Sequence, residues 1–175
     1  MRRRMRTYTH GVIGYLLYVK GSRQERRLAV LGGMLPDVLL VAGFIPHYLE
    51  RLTASPMVAQ WHRLLHFSAL HMVTVGMHSF VIVGPLLALS YVFYKPALPF
   101  WIGMLAHGVV DLLTHAQWGY NHFFPLPLAP LRAIVSYTDA TFTLIEHVLL
   151  LLFVLWWLRK RRYQATSQPI CRSSV

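Results

Sequence analysis

An all-α, multi-pass transmembrane helical bundle is predicted by three observations. Of the 175 residues 55% are hydrophobic, only 13% are charged, and the apolar residues gather into stretches of bilayer-crossing length. A soluble domain ordinarily carries about 25% charged residues. A helix needs about 20 mostly apolar residues to cross the hydrocarbon layer. Leu28 to Leu49, Leu70 to Tyr94, Leu98 to Ala116 and Thr141 to Leu158 each meet that length, giving about four spans. Residues 1–158 read as one membrane-embedded helical domain and residues 159–175 as a basic, disordered cytoplasmic tail.

Met1 to Val19 has a basic stretch and a short apolar run, like the front of a secretory signal, but the basic segment Lys20 to Arg27 follows where a small-residue cleavage site would stand. The segment therefore reads as retained. About ten apolar residues cannot cross a bilayer, so a short interfacial or re-entrant helix is expected. In the first span, Gly32-Gly33 and Pro36 are expected to interrupt the helix and to free backbone carbonyls beside a cavity, with Asp37 immediately after them. Trp118 to Pro130, rich in aromatics and proline, reads as an interfacial loop that could cover a site. No repeat is visible. The single cysteine, Cys171, cannot form an internal disulfide, so redox chemistry is not indicated.

The net charge of +11 raises nucleic acid as a partner, but its distribution argues against one. Of 17 basic residues, 14 fall in Arg2 to Arg6, Lys20 to Arg27, Lys95 and the tail, and only Arg51, Arg63 and Arg132 in the alternate loops. The positive-inside rule then places both termini and Lys95 in the cytoplasm, with the two alternate loops outside. Membrane lipids are the expected surroundings.

Ionisable groups at membrane depth mark function by default, because burying them costs energy unless they pair or bind a metal. His107, Asp111 and His115 recur every four residues in one apolar segment, and His62 and His66 are one helical turn apart. Imidazole and carboxylate together suit zinc, manganese or iron. His107 with Asp111 and His62 with His66 are two such pairs, beside Asp37 and His10; a packed polar contact is the plainer account of each. His71 and His78 share a helical face away from His66 and read as core residues or residues supporting a site. His47 and His147 read as interfacial, and His122 and Glu146 stay undecided. Arg63 is either a solvated charge or a group placed to hold a phosphate or carboxylate. The charge argument puts His10 near the cytoplasmic surface, whereas Asp37 lies mid-span. Either the first helix dives inward, or His10 is not a ligand, or the crossings differ.

Thr9-His10, Gly33-Met34-Leu35-Pro36-Asp37, His62-Arg63-Leu64-Leu65-His66-Phe67-Ser68 and Ala106-His107-Gly108-Val109-Val110-Asp111-Leu112-Leu113-Thr114 with a following Phe-Pro loop together resemble the membrane-bound metal-dependent hydrolase family, also described as LexA-binding, inner-membrane-associated hydrolases. The resemblance spans most of Thr9 to Leu128. Family members often carry a second acid two residues after the Leu-Pro-Asp aspartate, where this chain has Leu39. A looser similarity joins the order of ligands to zinc-dependent phospholipases C. Those enzymes use a free amino terminus and a His-x3-Glu that this chain lacks. The resemblance implies a hydrolase holding one or two divalent ions, zinc above all, on Asp37, His66, His107 and Asp111, with His10 and His62 next. Asp111 would bridge two ions, Arg63 would neutralise the substrate, and a phosphoester or lipid substrate is implied by analogy. Two rivals are a metal-ion or proton transporter using the same groups, and a non-catalytic membrane protein that recruits a partner through its tail.

Overall fold

The computed structural model describes residues 7–53, 69–115, 121–129, 131, 133–136 and 139–166. Arg63, His62 and His66 lie outside the described residues, as do the side chains of His47 and His71. The chain divides into two compact units, Met1–Tyr137 and Thr138–Val175, each treated by itself. The described residues are all-helical apart from turns and one isolated bridge between His115 and Ser136.

The first unit contains α1 (Thr7–Leu17), α2 (Arg23–Thr53), α3 (Ala69–Met77), α4 (Phe80–Phe93), a 3-10 turn (Lys95–Ala97) and α5 (Leu98–Thr114). The second contains α6 (Ala140–Thr166). Lys95–Thr114 and Ala140–Arg162, of 20 and 23 residues, are long and apolar enough to cross a membrane.

Helix α2 starts at a capping box. The Ser22 hydroxyl accepts the Glu25 N–H at 3.2 Å, and the Glu25 carboxylate accepts the Ser22 N–H at 2.6 Å, so two orphan donors of the first turn are satisfied. Those contacts hold the Glu25 carboxyl below its ordinary range, the Ser22 backbone N–H contributing most and its hydroxyl next. The Arg26 guanidinium donates to the Gly21 carbonyl and lies 6.0 Å from the Tyr15 ring centre, closing the turn that reverses the chain between α1 and α2.

The short first helix forms as expected, and its packing brings His10 inward. Small residues allow this. A Cβ on Gly14 would strike the Ala29 carbonyl, and one on Gly33 would come within 2.7 Å of the His10 carbonyl oxygen. These two contacts, one helical turn apart on α1, lay it antiparallel along α2. On the other side of α2, a Cβ on Gly32 would collide with the Phe100 carbonyl and one on Gly103 with that of Ala29. Ala29 itself is fully buried. Ala29 to Gly33 is therefore a segment with backbone pressed against it from α1 and from α5, the close approach that small residues permit between helices.

Two expectations change here. Gly32-Gly33 and Pro36 do not interrupt the first span, since α2 runs unbroken from Arg23 to Thr53. The glycines serve interhelical approach, and the proline costs one i−4 hydrogen bond without ending the helix. The stretch Leu70 to Tyr94 is two helices, because His78 and Ser79 leave the helical path. Ser79 is extended (φ −91°, ψ 123°), its hydroxyl accepts the Val81 N–H at 3.2 Å to cap α4, and it donates to the Phe124 carbonyl. At 14 residues α4 is shorter than a bilayer crossing.

In α6 the helix continues through Arg159–Arg162 to Thr166. Asp139 starts it, with its carboxylate accepting the Thr141 N–H at 3.0 Å.

Two outcomes follow from these contacts. Gly32→Ala and Gly103→Ala each insert a Cβ against backbone that no rotamer change can move aside, so each should lower stability by about 1–3 kcal/mol, read as the thermal midpoint in detergent. Because the Glu25 carboxyl is held low, its contribution is present above its ordinary pKa and is lost as pH falls through the lowered folded value. A thermal midpoint followed downward from neutral pH should drop less steeply in Glu25→Gln than in the native chain.

Candidate metal centre

Five polar side chains converge in the first unit: His10 from α1, Asp37 from α2, His78 from the break between α3 and α4, and His107 and Asp111 from α5. His10, His78, His107 and Asp111 are each at most 2% exposed. The convergence follows from the packing above. Gly33 lies against the His10 carbonyl, and its own carbonyl oxygen meets Nδ1 of His107 at 2.8 Å. The α-helical step of four residues then puts Asp111 on the same face of α5.

Hydrogen bonding fixes how the rings face. A carbonyl can only accept, so Nδ1 of His107 donates to the Gly33 oxygen, and Nδ1 of His78 donates to the Thr74 oxygen at 2.7 Å. In the neutral rings each Nε2 then offers a lone pair. The two Nε2 atoms stand 3.1 Å apart, with the Asp111 Oδ2 at 3.3 Å from His107 and 3.6 Å from His78. Three acceptors so close repel one another unless a cation, a proton or a metal ion, sits among them. Ligands about 2.05 Å from a tetrahedral ion lie about 3.3 Å from each other, and this triangle has that size.

The other carboxylate oxygen, Oδ1 of Asp111, faces Nε2 of His10 at 3.3 Å, and His10 in turn stands 3.8 Å from Oδ2 of Asp37. Both nitrogens of His10, both oxygens of Asp111 and Oδ2 of Asp37 are buried and make no hydrogen bond of acceptable geometry. Among the described residues no Lys or Arg pairs with either carboxylate; each ion-pair contact is to a histidine. A buried carboxylate such as that of Asp111 costs several kcal/mol in a low-dielectric site without a fixed cation, the partly buried Asp37 brings a second negative charge to the cluster, and a divalent ion would offset that cost. The donor set therefore fits a metal ion.

A second layer orients the first. Nδ1 of His122 donates to the His78 carbonyl at 3.0 Å, the Phe80 N–H donates to the His122 carbonyl at 2.8 Å, and the two rings stack with centroids 5.5 Å apart. Together with the Ser79–Phe124 bond, these contacts tie the segment from Asn121 to Leu126 to the helix break that carries His78. His115, expected on the same face of α5, is the C-cap of that helix. Its Nδ1 meets the Asp111 backbone oxygen at 3.1 Å, and so it stands at the edge of the cluster.

Of the residues expected from sequence, His10, Asp37, His107 and Asp111 are brought together. His62, His66 and Arg63 lie outside the described residues. His78, read from sequence as a core or supporting residue, stands at the centre. The signal that could have found it is Ser79, a helix-starting residue in front of an apolar run, which places a helix boundary beside His78.

No protein-family model, curated protein or solved structure matches this chain. The fold and site define a helical protein with two helices of membrane-crossing length and a buried His/Asp group able to hold a metal ion.

If the triangle is a ligand set, metal content of detergent-purified protein should fall at least about tenfold in His78→Ala, His107→Ala and Asp111→Asn. It should stay unchanged in His147→Ala, on the second unit. Elemental mass spectrometry on material that remains monodisperse by size exclusion reads this directly.

Proposed function

We propose that this chain is a membrane-embedded, metal-dependent hydrolase acting on a phosphoester or lipid substrate. The observation that carries the reading is the Nε2–Nε2–Oδ2 triangle of His78, His107 and Asp111, whose edges of 3.1, 3.3 and 3.6 Å suit three ligands of one ion. Three protein ligands are the number catalytic zinc sites ordinarily use, whereas structural sites use four. His10 faces both Oδ1 of Asp111 and Oδ2 of Asp37, and these three residues would hold a second ion. Zinc suits imidazole and carboxylate together; manganese and iron are the other divalent ions these ligands accept.

A divalent ion held by these residues would supply Lewis acidity, lowering the pKa of a water to about 7 and polarising the scissile group. The chain's own residues do the rest. The carbonyls of Gly33 and Thr74 keep Nδ1 of His107 and His78 protonated, and so keep each Nε2 turned inward as a donor of electrons. Asp111 fixes the position of both histidines that face its Oδ2. Arg63 would neutralise negative charge on the substrate. About four membrane crossings with both termini in the cytoplasm complete the proposal, and the resemblance to the membrane-bound metal-dependent hydrolases supports it.

The 3.1 Å contact between His78 and His107 also suits a shared proton. It therefore supports a second reading, a proton relay through the bundle. One pair of measurements separates the two. The hydrolase should release product from phosphoester or phospholipid substrates only with a divalent ion present. It should lose that activity with chelator, regain it with zinc or manganese, and lose about 100-fold or more in Asp111→Asn, the scale of a lost electrostatic contact to the reacting groups. Native protein that takes up no divalent ion even on reconstitution, yet moves protons down a pH gradient in vesicles, would leave the relay standing and the hydrolase fallen.

A further inference from the structure

The metal centre makes no use of the basic end of α6. From Ala140 to Leu158 this helix measures about 28 Å at about 1.5 Å per residue, close to the hydrocarbon thickness of about 30 Å. Leu144, Ile145, Leu149, Leu151, Leu152 and Leu155 are all exposed along it. Trp156 and Trp157 stand where that apolar length ends, the position aromatic rings take at a bilayer interface. Arg159, Lys160, Arg161 and Arg162 follow at once.

The cations are arranged as well as numerous. Nζ of Lys160 lies 5.1 Å from the centre of the Trp156 ring, and Cζ of Arg161 lies 4.0 Å from that of Trp157. Both pairs are four residues apart, so they form two adjacent ridges at one level of the helix. Stacking occupies the flat face of the guanidinium and restrains a side chain that would otherwise lose entropy on binding, while its N–H donors point outward in the plane of the group. A planar fork restrained in this way matches phosphate oxygens. Between Glu146 and Thr166 the helix carries no acidic residue.

We propose that the Trp156–Lys160 and Trp157–Arg161 pairs form a binding site for the headgroup phosphate of an anionic phospholipid, with Arg159 and Arg162 adding to its charge. The occupant follows from the coincidence of apolar length, interfacial tryptophans and clustered positive charge on one helix end. The proposal rests on the reading of α6 as a membrane helix and is independent of the metal.

The test uses the full chain in detergent, titrated with phosphatidylglycerol or phosphatidylcholine, with bound lipid counted by native mass spectrometry. Phosphatidylglycerol should bind about tenfold or more tightly, in keeping with the attraction of several clustered cations to acidic lipid. The preference should shrink in high salt. The quadruple variant Arg159→Gln, Lys160→Gln, Arg161→Gln and Arg162→Gln should lose it while keeping its metal content, and Trp156→Leu with Trp157→Leu should weaken it. Arg23→Gln with Arg27→Gln, at the start of α2, should leave it intact. Equal binding of the two lipids, or a preference that survives the quadruple variant, would overturn the site. So would full displacement of phosphatidylglycerol by a short single-stranded oligonucleotide, which would mark a soluble polyanion as the partner. Alkaline extraction of vesicles containing the native protein keeps the premises apart: protein that stays with the lipid but shows no preference sinks only the headgroup site, whereas protein that is released sinks the membrane reading of α6.

Discussion

The approach of three backbones around Ala29 to Gly33 is the constraint on which the first unit depends. Glycine at 14, 32, 33 and 103 leaves no side chain where carbonyl groups of neighbouring helices pass. Helices that close gain dispersion contacts along their length. They also place the His10 backbone and the Nδ1 of His107 on the same short segment of α2. Packing and chemistry thus share one cause: residues that let the helices touch also set the depth at which polar side chains meet. Larger side chains there would separate α1 from α2 and so take His10 from Asp111.

The helix break at His78 and Ser79 is the second device. A residue within a helix can reach only what its face meets, and on an unbroken helix from Leu70 to Tyr94 the position of His78 would be tied to that of every other residue on its stripe. Leaving the helix frees it. The cost is a set of orphan backbone groups, and these find partners: the Val81 N–H in the Ser79 hydroxyl, the Phe80 N–H in the His122 carbonyl, and the His78 carbonyl in Nδ1 of His122. The segment after α5 therefore completes the break, and with it the orientation of one ring in the cluster.

Much of this was legible in the sequence, and the rest was hidden for identifiable reasons. The spacing of His107 and Asp111 within an apolar run gave two cluster members, because a helical repeat needs no tertiary information. Asp37 and His10 were legible as ionisable residues in apolar settings, but their meeting was not. Charge placed the two ends of α1 on the same side, while the antiparallel packing that carries His10 inward is decided by contacts of Gly14 with Ala29 and of Gly33 with His10, far apart in the chain. Gly32, Gly33 and Pro36 look like helix breakers when propensity alone is consulted. Tertiary packing overrides that preference in α2, where each glycine has backbone against it. His78 is buried, as a core or supporting residue would be; its approach to His107 depends on the helix break at Ser79, which the periodicity of an unbroken helix does not show.

The five clustered residues come from three helices and one junction, so no local piece of the chain can assemble them. An ion that binds the folded cluster and not the unfolded chain would add its binding free energy to the stability of the fold. Without a cation the same cluster holds two carboxylates and a pair of facing imidazole nitrogens in a buried site, an arrangement that opposes the close approach of α1, α2 and α5 that creates it. The glycine packing and the polar cluster are thus coupled with opposite signs until a cation is present, and with the same sign afterwards. On that argument the short helix α1 is the element most dependent on the ion. It is tied to α2 by small-residue contacts along one face, and its only buried ionisable side chain, His10, makes no hydrogen bond within the cluster. Loss of the cation should therefore be felt at α1, whose His10 then faces Asp111 and Asp37 with no ion between them.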